Sequence, residues 1–133
     1  DDPDFNFKFE VIRPTEAMKN VRDYTKWLSN HLLGFECDVR FVKMHQKGTH
    51  KVAAQYGERI LDFVVDTLGK KWFNMDERPT KEQTEIILHE LAHEGGSKTP
   101  HTGEYVDNIA KLGAMATHLA LEIPWWKKET KGA

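Results

Sequence analysis

The spacing of apolar and polar positions changes period several times along the chain, and each change marks an element. Residues 1–13 place Phe5, Phe7, Phe9 and Val11 at alternate positions among polar or charged neighbours, the period of two of an extended strand or arm. Pro14 follows, a residue suited to a first helical turn. Ala17, Val21, Tyr24, Leu28 and Leu32 then recur every three or four residues as far as Gly34. That spacing predicts an amphipathic helix opened by Pro14 and stopped by the glycine. Phe35–Met44, Lys51–Tyr56 and Arg59–Val65 return to a strand-like pattern, separated by a polar turn over residues 45–50 and a tight turn at Gly57-Glu58. Three strands in succession predict a mainly antiparallel meander. Residues 66–73, which carry Trp72 and Phe73, read as a short helix or turn.

A second helix is predicted after Arg78-Pro79-Thr80, with Thr80 and Gln83 spaced as a capping box. Thr84, Ile87, Leu88 and Leu91 form its core-facing side, while Ile86, His89, Glu90 and His93 face elsewhere; Gly95-Gly96 ends it. The loop Ser97–Pro100 leads to His101, and a last helix runs from Thr102–Tyr105 to about Leu121. Its large stripe, Tyr105, Ile109, Leu112, Ala116 and Leu119, reads as core. Its small stripe, Val106, Ala110, Gly113, Thr117 and Ala120, is expected to let that helix pack closely beneath the preceding one. Pro124-Trp125-Trp126 closes it, and Lys127–Ala133 is a polar tail. The whole reads as one α+β domain over residues 1–133: an N-terminal helix, a three-stranded sheet, a second helix and a C-terminal packing helix.

Composition narrows the function. The chain has 133 residues, 30% charged and 39% hydrophobic, the balance of a globular domain with a real core. A formal net charge of -2 gives no electrostatic footprint for nucleic acid. No apolar run reaches the length of a membrane span and no signal peptide is recognisable, so neither a membrane nor export is expected. The first residue is Asp1, which suggests a piece of a longer protein. Cys37 is the only cysteine; it excludes a disulfide framework, points to a reducing, cytoplasmic setting and is expected as a small apolar filler in the first strand. His45 and His50 flank one turn and read as solvated loop histidines rather than ligands.

The chemistry concentrates in His89-Glu90-Leu91-Ala92-His93. A helix puts residues i and i+4 on one face about a turn apart, so His89 and His93 can offer imidazole nitrogens to one zinc ion at roughly 2.0–2.1 Å. Glu90 stands off that line, where a carboxylate can accept a proton from the attacking water. A catalytic zinc ordinarily has three protein ligands and an open position. His101, eight residues after His93 and past a glycine turn, is the first choice for the third; Glu104, Asp107 and His118 are the alternatives.

The pattern H-E-L-A-H-E, a short glycine-containing loop, then H-T-G-E-Y resembles the compact SprT-like and WLM-like zincins. In those a third histidine follows H-E-x-x-H and precedes an aromatic residue by four positions. The matching residues here are His89, Glu90, His93, His101 and Tyr105. The specific part of the resemblance covers residues 86–105, and the element order resembles the minimal zincin fold over most of the chain. It does not extend to metzincins: Gly96 falls on their glycine, but Thr99 stands where they carry a histidine. The basic features with which some SprT-like proteins bind DNA are not evident. The resemblance implies a zinc metallopeptidase acting on a protein or peptide, with Glu90 as general base and Tyr105 either as oxyanion donor or as part of the core. A zinc-held interaction domain, inactive or dependent on an activating partner, is the second expectation. A coincidental motif on an α+β binding module is the third.

Overall fold

The computed structural model describes residues 9–46, 51–94 and 109–117. Its elements are β1 (Glu10–Val11), α1 (Glu16–Leu33), β2 (Asp38–Lys43), β3 (Ala54–Gly57), β4 (Ile60–Val64), α2 (Val65–Leu68), a 3-10 turn over Lys70–Phe73 and α3 (Lys81–Leu91). Residues 109–117 form a further helix, α4.

The α+β class is as expected; the sheet is not. Four strands run in the order β1-β2-β4-β3. β2 and β4 are parallel, while β1 against β2 and β3 against β4 are antiparallel. The predicted three-stranded, mainly antiparallel meander is therefore corrected to a mixed sheet in which β4 lies between β2 and β3 and pairs with both. The physical reason is burial. Leu61, Asp62, Phe63 and Val64 are all buried in succession, and a strand buried on both faces belongs in the middle of a sheet. β3, reading Ala-Gln-Tyr-Gly, has one fully buried position and takes the edge. Asp62 is tolerated at the centre because Arg40 on β2 grips it with two bonds, 2.7 and 2.9 Å, and Gln55 on β3 donates a third at 3.0 Å.

α1 starts slightly later than Pro14 suggests. Thr15 is its N-cap, its hydroxyl accepting from the Met18 N–H at 3.2 Å, and Gly34 at φ 86° closes it in the left-handed conformation that glycine adopts without penalty. One face of the sheet, through Phe41, Leu61 and Phe63, joins Val21 and Leu28 of α1 and Ile87 and Leu91 of α3 in a single core. Each fully buried side chain of this size contributes roughly 1.5–3 kcal/mol. Phe73, at the end of the 3-10 turn, meets Phe41 and Phe63 edge-on at 5.6 and 5.9 Å.

Three smaller expectations change. Among its described residues the N-terminal arm pairs with β2 over Glu10–Val11, and Phe9 and Val11 stay exposed at 44% and 54%; residues 1–8 lie outside the described residues. Cys37 is buried, but just before β2 rather than within it. In α4 the large stripe does face the core, with Leu112 buried and Ile109 and Ala116 packed beside it. Of the small stripe, Val106 and Ala120 lie outside the described residues; Ala110 and Thr117 are exposed, and among the described residues a Cβ added at Gly113 would meet nothing within 4 Å. The rest of that helix, Pro124–Trp126 and the tail lie outside the described residues.

Candidate metal centre

The site is built on α3. Its start matches the sequence pattern. Thr80 accepts from the Gln83 N–H at 3.0 Å, and Gln83 Oε1 accepts from the Thr80 N–H at 3.0 Å. Gln83 is fully buried and spends both amide hydrogens on the carbonyls of Trp72 and Asn74, at 2.9 and 3.0 Å. One turn on, Tyr24 and Thr84 share a hydroxyl–hydroxyl bond at 2.8 Å that ties α3 to α1. Ile87 and Leu91 are then fully buried, while Ile86 and Leu88 are partly buried at the core's margin.

His89 is exposed, His93 is half-buried, and both lie off the Gln83–Ile87–Leu91 stripe. Glu90 is half-buried, and among the described residues its carboxylate has no hydrogen-bond or ion-pair partner. That burial pushes its pKa up to about 7. Two imidazoles spaced i, i+4 with a partly desolvated carboxylate beside them, unpaired among the described residues, form a donor set that suits zinc. His101, Tyr105, Glu104, Asp107 and His118 lie outside the described residues, as do Gly95-Gly96 and His50. Among the described residues no group of three metal-binding side chains is assembled; the pair His89 and His93 is what α3 supplies.

The helix ends earlier than the glycines suggest. α-Helical bonding closes with Ala92 N–H to Leu88 O at 3.0 Å. His93 N–H then bonds Glu90 O, and Glu94 N–H bonds Leu91 O, both i to i+3 at 3.0 Å. His93 thus stands in a tightened terminal turn rather than in regular helix.

That turn is held from across the fold. Tyr56, on β3, donates its hydroxyl to Glu94 Oε1 at 2.6 Å, and Arg59 Nε approaches Glu94 Oε2 at 3.4 Å. Burial first, and the neighbouring Glu94 carboxylate second, hold the Tyr56 hydroxyl well above its ordinary pKa, so it stays a donor. Arg59 lies over the Phe35 ring, 3.8 Å from its centroid. Glu58 and Arg59 form the two-residue β3–β4 turn with φ of 52° and 61°, the conformation a two-residue hairpin demands. Sequence reasoning gave Tyr56, Arg59 and Glu94 no role. The only local signal was Glu94 directly after the second histidine.

β3 is also where the site meets the sheet edge. Val64 N–H bonds Ala53 O at 2.9 Å, and β3 pairs Ala54 with Phe63 and Tyr56 with Leu61. Antiparallel pairs alternate between bonded and non-bonded, so the backbone groups of Ala54 and Tyr56 point outward. Among the described residues no strand pairs with that outer edge. Comparison of the chain with protein-family models, with curated proteins and with solved structures gives no match in any of the three.

Proposed function

We propose that this chain is a zinc-dependent metallopeptidase of zincin-like design, cleaving peptide bonds in a protein or peptide substrate. One observation carries the reading. Glu90 is a half-buried carboxylate without a partner among the described residues, set between two histidines at i, i+4 on the end of α3. Leaving a partly buried carboxylate unpaired costs stability, and a purely structural zinc site has no use for a base at that place. His89 and His93 would hold the zinc, with His101 as third ligand and Glu104 or Asp107 as its replacements. Bound there, zinc supplies Lewis acidity toward water and the scissile carbonyl.

The chain's own residues do the rest. Glu90 takes a proton from the attacking water as its oxygen adds to the carbonyl carbon. It returns that proton to the amide nitrogen as the C–N bond breaks. Tyr105 is proposed to donate to the developing oxyanion. The outward backbone groups of Ala54 and Tyr56 can take the substrate as an added extended strand. No described helix is long and apolar enough to cross a membrane, and the lone buried Cys37 suits the cytoplasmic setting we propose.

Glu90→Gln tests the reading. The amide keeps the shape of the carboxylate and cannot accept the proton, so the variant should retain zinc while losing cleavage by about 10²–10⁴-fold. Zinc content by elemental analysis and cleavage of a proteome-derived peptide library by mass spectrometry are the readouts. Equal cleavage by wild type and variant would refute the mechanism. Bound zinc with no cleavage of any peptide would favour the interaction-domain reading.

A further inference from the structure

We propose that Glu94 is a positioning residue: through Tyr56 it ties the edge strand β3 to the turn carrying His93, and so fixes where the second histidine stands relative to the first. This rests on the reading of His89 and His93 as zinc ligands.

The need for such a device follows from how α3 ends. His89 lies within the α-helix and His93 lies beyond its last residue, Leu91, in a turn of i to i+3 bonds. α-Helix and 3-10 helix differ by about 0.5 Å of rise and about 20° of rotation per residue. A terminal turn that slides between them moves His93 along and around the axis while His89 stays put. Ligand distances in a metal site hold to within about 0.2 Å, so that slide is larger than zinc tolerates. The last turn of a helix is also its most easily frayed part, because its carbonyls lack intrahelical partners.

The anchor is placed where it can stop the slide. Glu94 is the residue after His93. Its side chain is 24% exposed, and its carboxylate takes a 2.6 Å bond from Tyr56, a residue 38 positions earlier and paired with Leu61 in the sheet. A short bond from a half-buried hydroxyl to a carboxylate is among the stronger hydrogen bonds a protein makes. Arg59 contributes less: its side chain is 62% exposed and its contact is 3.4 Å. The terminal turn is therefore referenced to the sheet as well as to its own helix. Because Tyr56 also presents its backbone at the outer edge of β3, one residue sets the spacing between that edge and His93.

The test uses zinc and cobalt ions as probes, on the wild type and on Tyr56→Phe, Glu94→Ala, Glu94→Gln and the double variant Tyr56→Phe/Glu94→Ala. Zinc affinity is read by competition with a chromophoric chelator. The visible absorption of the cobalt-substituted protein reports ligand geometry, and circular dichroism confirms folding. Tyr56→Phe removes one oxygen from a half-buried ring, so it retains the fold. Tyr56→Phe and Glu94→Ala should each weaken zinc about tenfold or more and alter the cobalt spectrum. The double variant should be no worse than Glu94→Ala. Glu94→Gln, whose amide oxygen still accepts from Tyr56, should restore most of the affinity and the wild-type spectrum. Zinc affinity and cobalt spectrum unchanged in Tyr56→Phe and Glu94→Ala, even with lowered Tm, would overturn the positioning role alone. A wild type that binds no zinc would overturn the proposed function and this inference with it.

Discussion

The two ends of α3 are held by different kinds of interaction. The N-terminal end is fixed locally. Thr80 and Gln83 satisfy each other's backbone N–H groups, and Gln83 reaches only 9 and 11 residues back, to Asn74 and Trp72. The C-terminal end is fixed by distant residues, Tyr56 and Arg59, which lie 38 and 35 positions before Glu94. The first end is centred on the buried Gln83, with Thr80 half-buried and Lys81 and Glu82 exposed, and carries no proposed chemistry. The second is half-buried and carries His89, Glu90 and His93. A helix can thus be held by its own neighbourhood at one end and from across the fold at the other. The end held from across the fold is the one whose geometry must answer to a ligand.

If this division is correct, substitutions at the two ends should separate stability from metal binding. The largest effect falls at the C-terminal end. The double variant His89→Ala/His93→Ala removes both imidazoles that α3 offers and should abolish stoichiometric zinc by elemental analysis, while Tm of the metal-free protein changes little because neither side chain lies on the buried stripe. Zinc retained at one equivalent would sink the site. The same chelator competition ranks the third ligand: His101→Ala should weaken zinc far more than Glu104→Ala, Asp107→Ala or His118→Ala. Loss of metal in a carboxylate variant, with metal kept in His101→Ala, would replace the histidine by that carboxylate.

The next effect falls at the N-terminal end and should have the opposite signature. Gln83 is 0% exposed and makes three side-chain bonds. Gln83→Ala strands two carbonyls and the Thr80 N–H and leaves a small void. Buried unsatisfied groups cost about 1–3 kcal/mol each when water cannot reach them, and relaxation recovers part of that. We expect a loss of roughly 2–4 kcal/mol in urea unfolding, with zinc affinity of the folded fraction unchanged. A drop in zinc affinity at temperatures where the variant is fully folded would show that the two ends are coupled after all.

The same contrast explains what was legible in the sequence. The capping box at Thr80 and Gln83, the glycine cap at Gly34 and the stripe through Ile87 and Leu91 are encoded within a few residues, and periodicity exposes them. The H-E-x-x-H spacing is legible for the same reason. The position of β4 was not. Its run of buried residues was visible, but succession along the chain favoured a meander, and only the insertion of β4 between β2 and β3 satisfies burial on both faces. The Tyr56–Glu94 bond was not legible either. Tyr56 reads as an ordinary strand aromatic until β3 is placed at the edge beside α3, and no spacing rule links residues 38 apart. Arg40 and Asp62 make the same point: each reads as a solvated strand charge until β2 and β4 become neighbours in register.

The smallest expected effect makes the sharpest use of the comparison. Thr80 contributes to α3 through one hydroxyl, which accepts from the Gln83 N–H at 3.0 Å. Thr80→Ala removes that acceptor but leaves Gln83 free to hold the Thr80 position's backbone N–H, so half of the reciprocal pair survives. Loss of an N-cap hydroxyl costs about 1 kcal/mol, which for a domain of this size lowers Tm by roughly 3–5 °C. Thr80→Ser restores the hydroxyl without the methyl group and should recover most of that loss. Neither change should move zinc affinity, because the cap bond ends at Gln83, six residues before His89, and the buried turn of Ile87 lies between. Calorimetry gives the first pair of numbers and chelator competition the second. An intact zinc affinity beside a lowered Tm in Thr80→Ala, set against a lowered zinc affinity beside a near-normal Tm in Tyr56→Phe, is the crossed pattern that two independently held ends require. Parallel losses in both variants would mean instead that α3 responds as one rigid body and that its C-terminal anchor adds only stability.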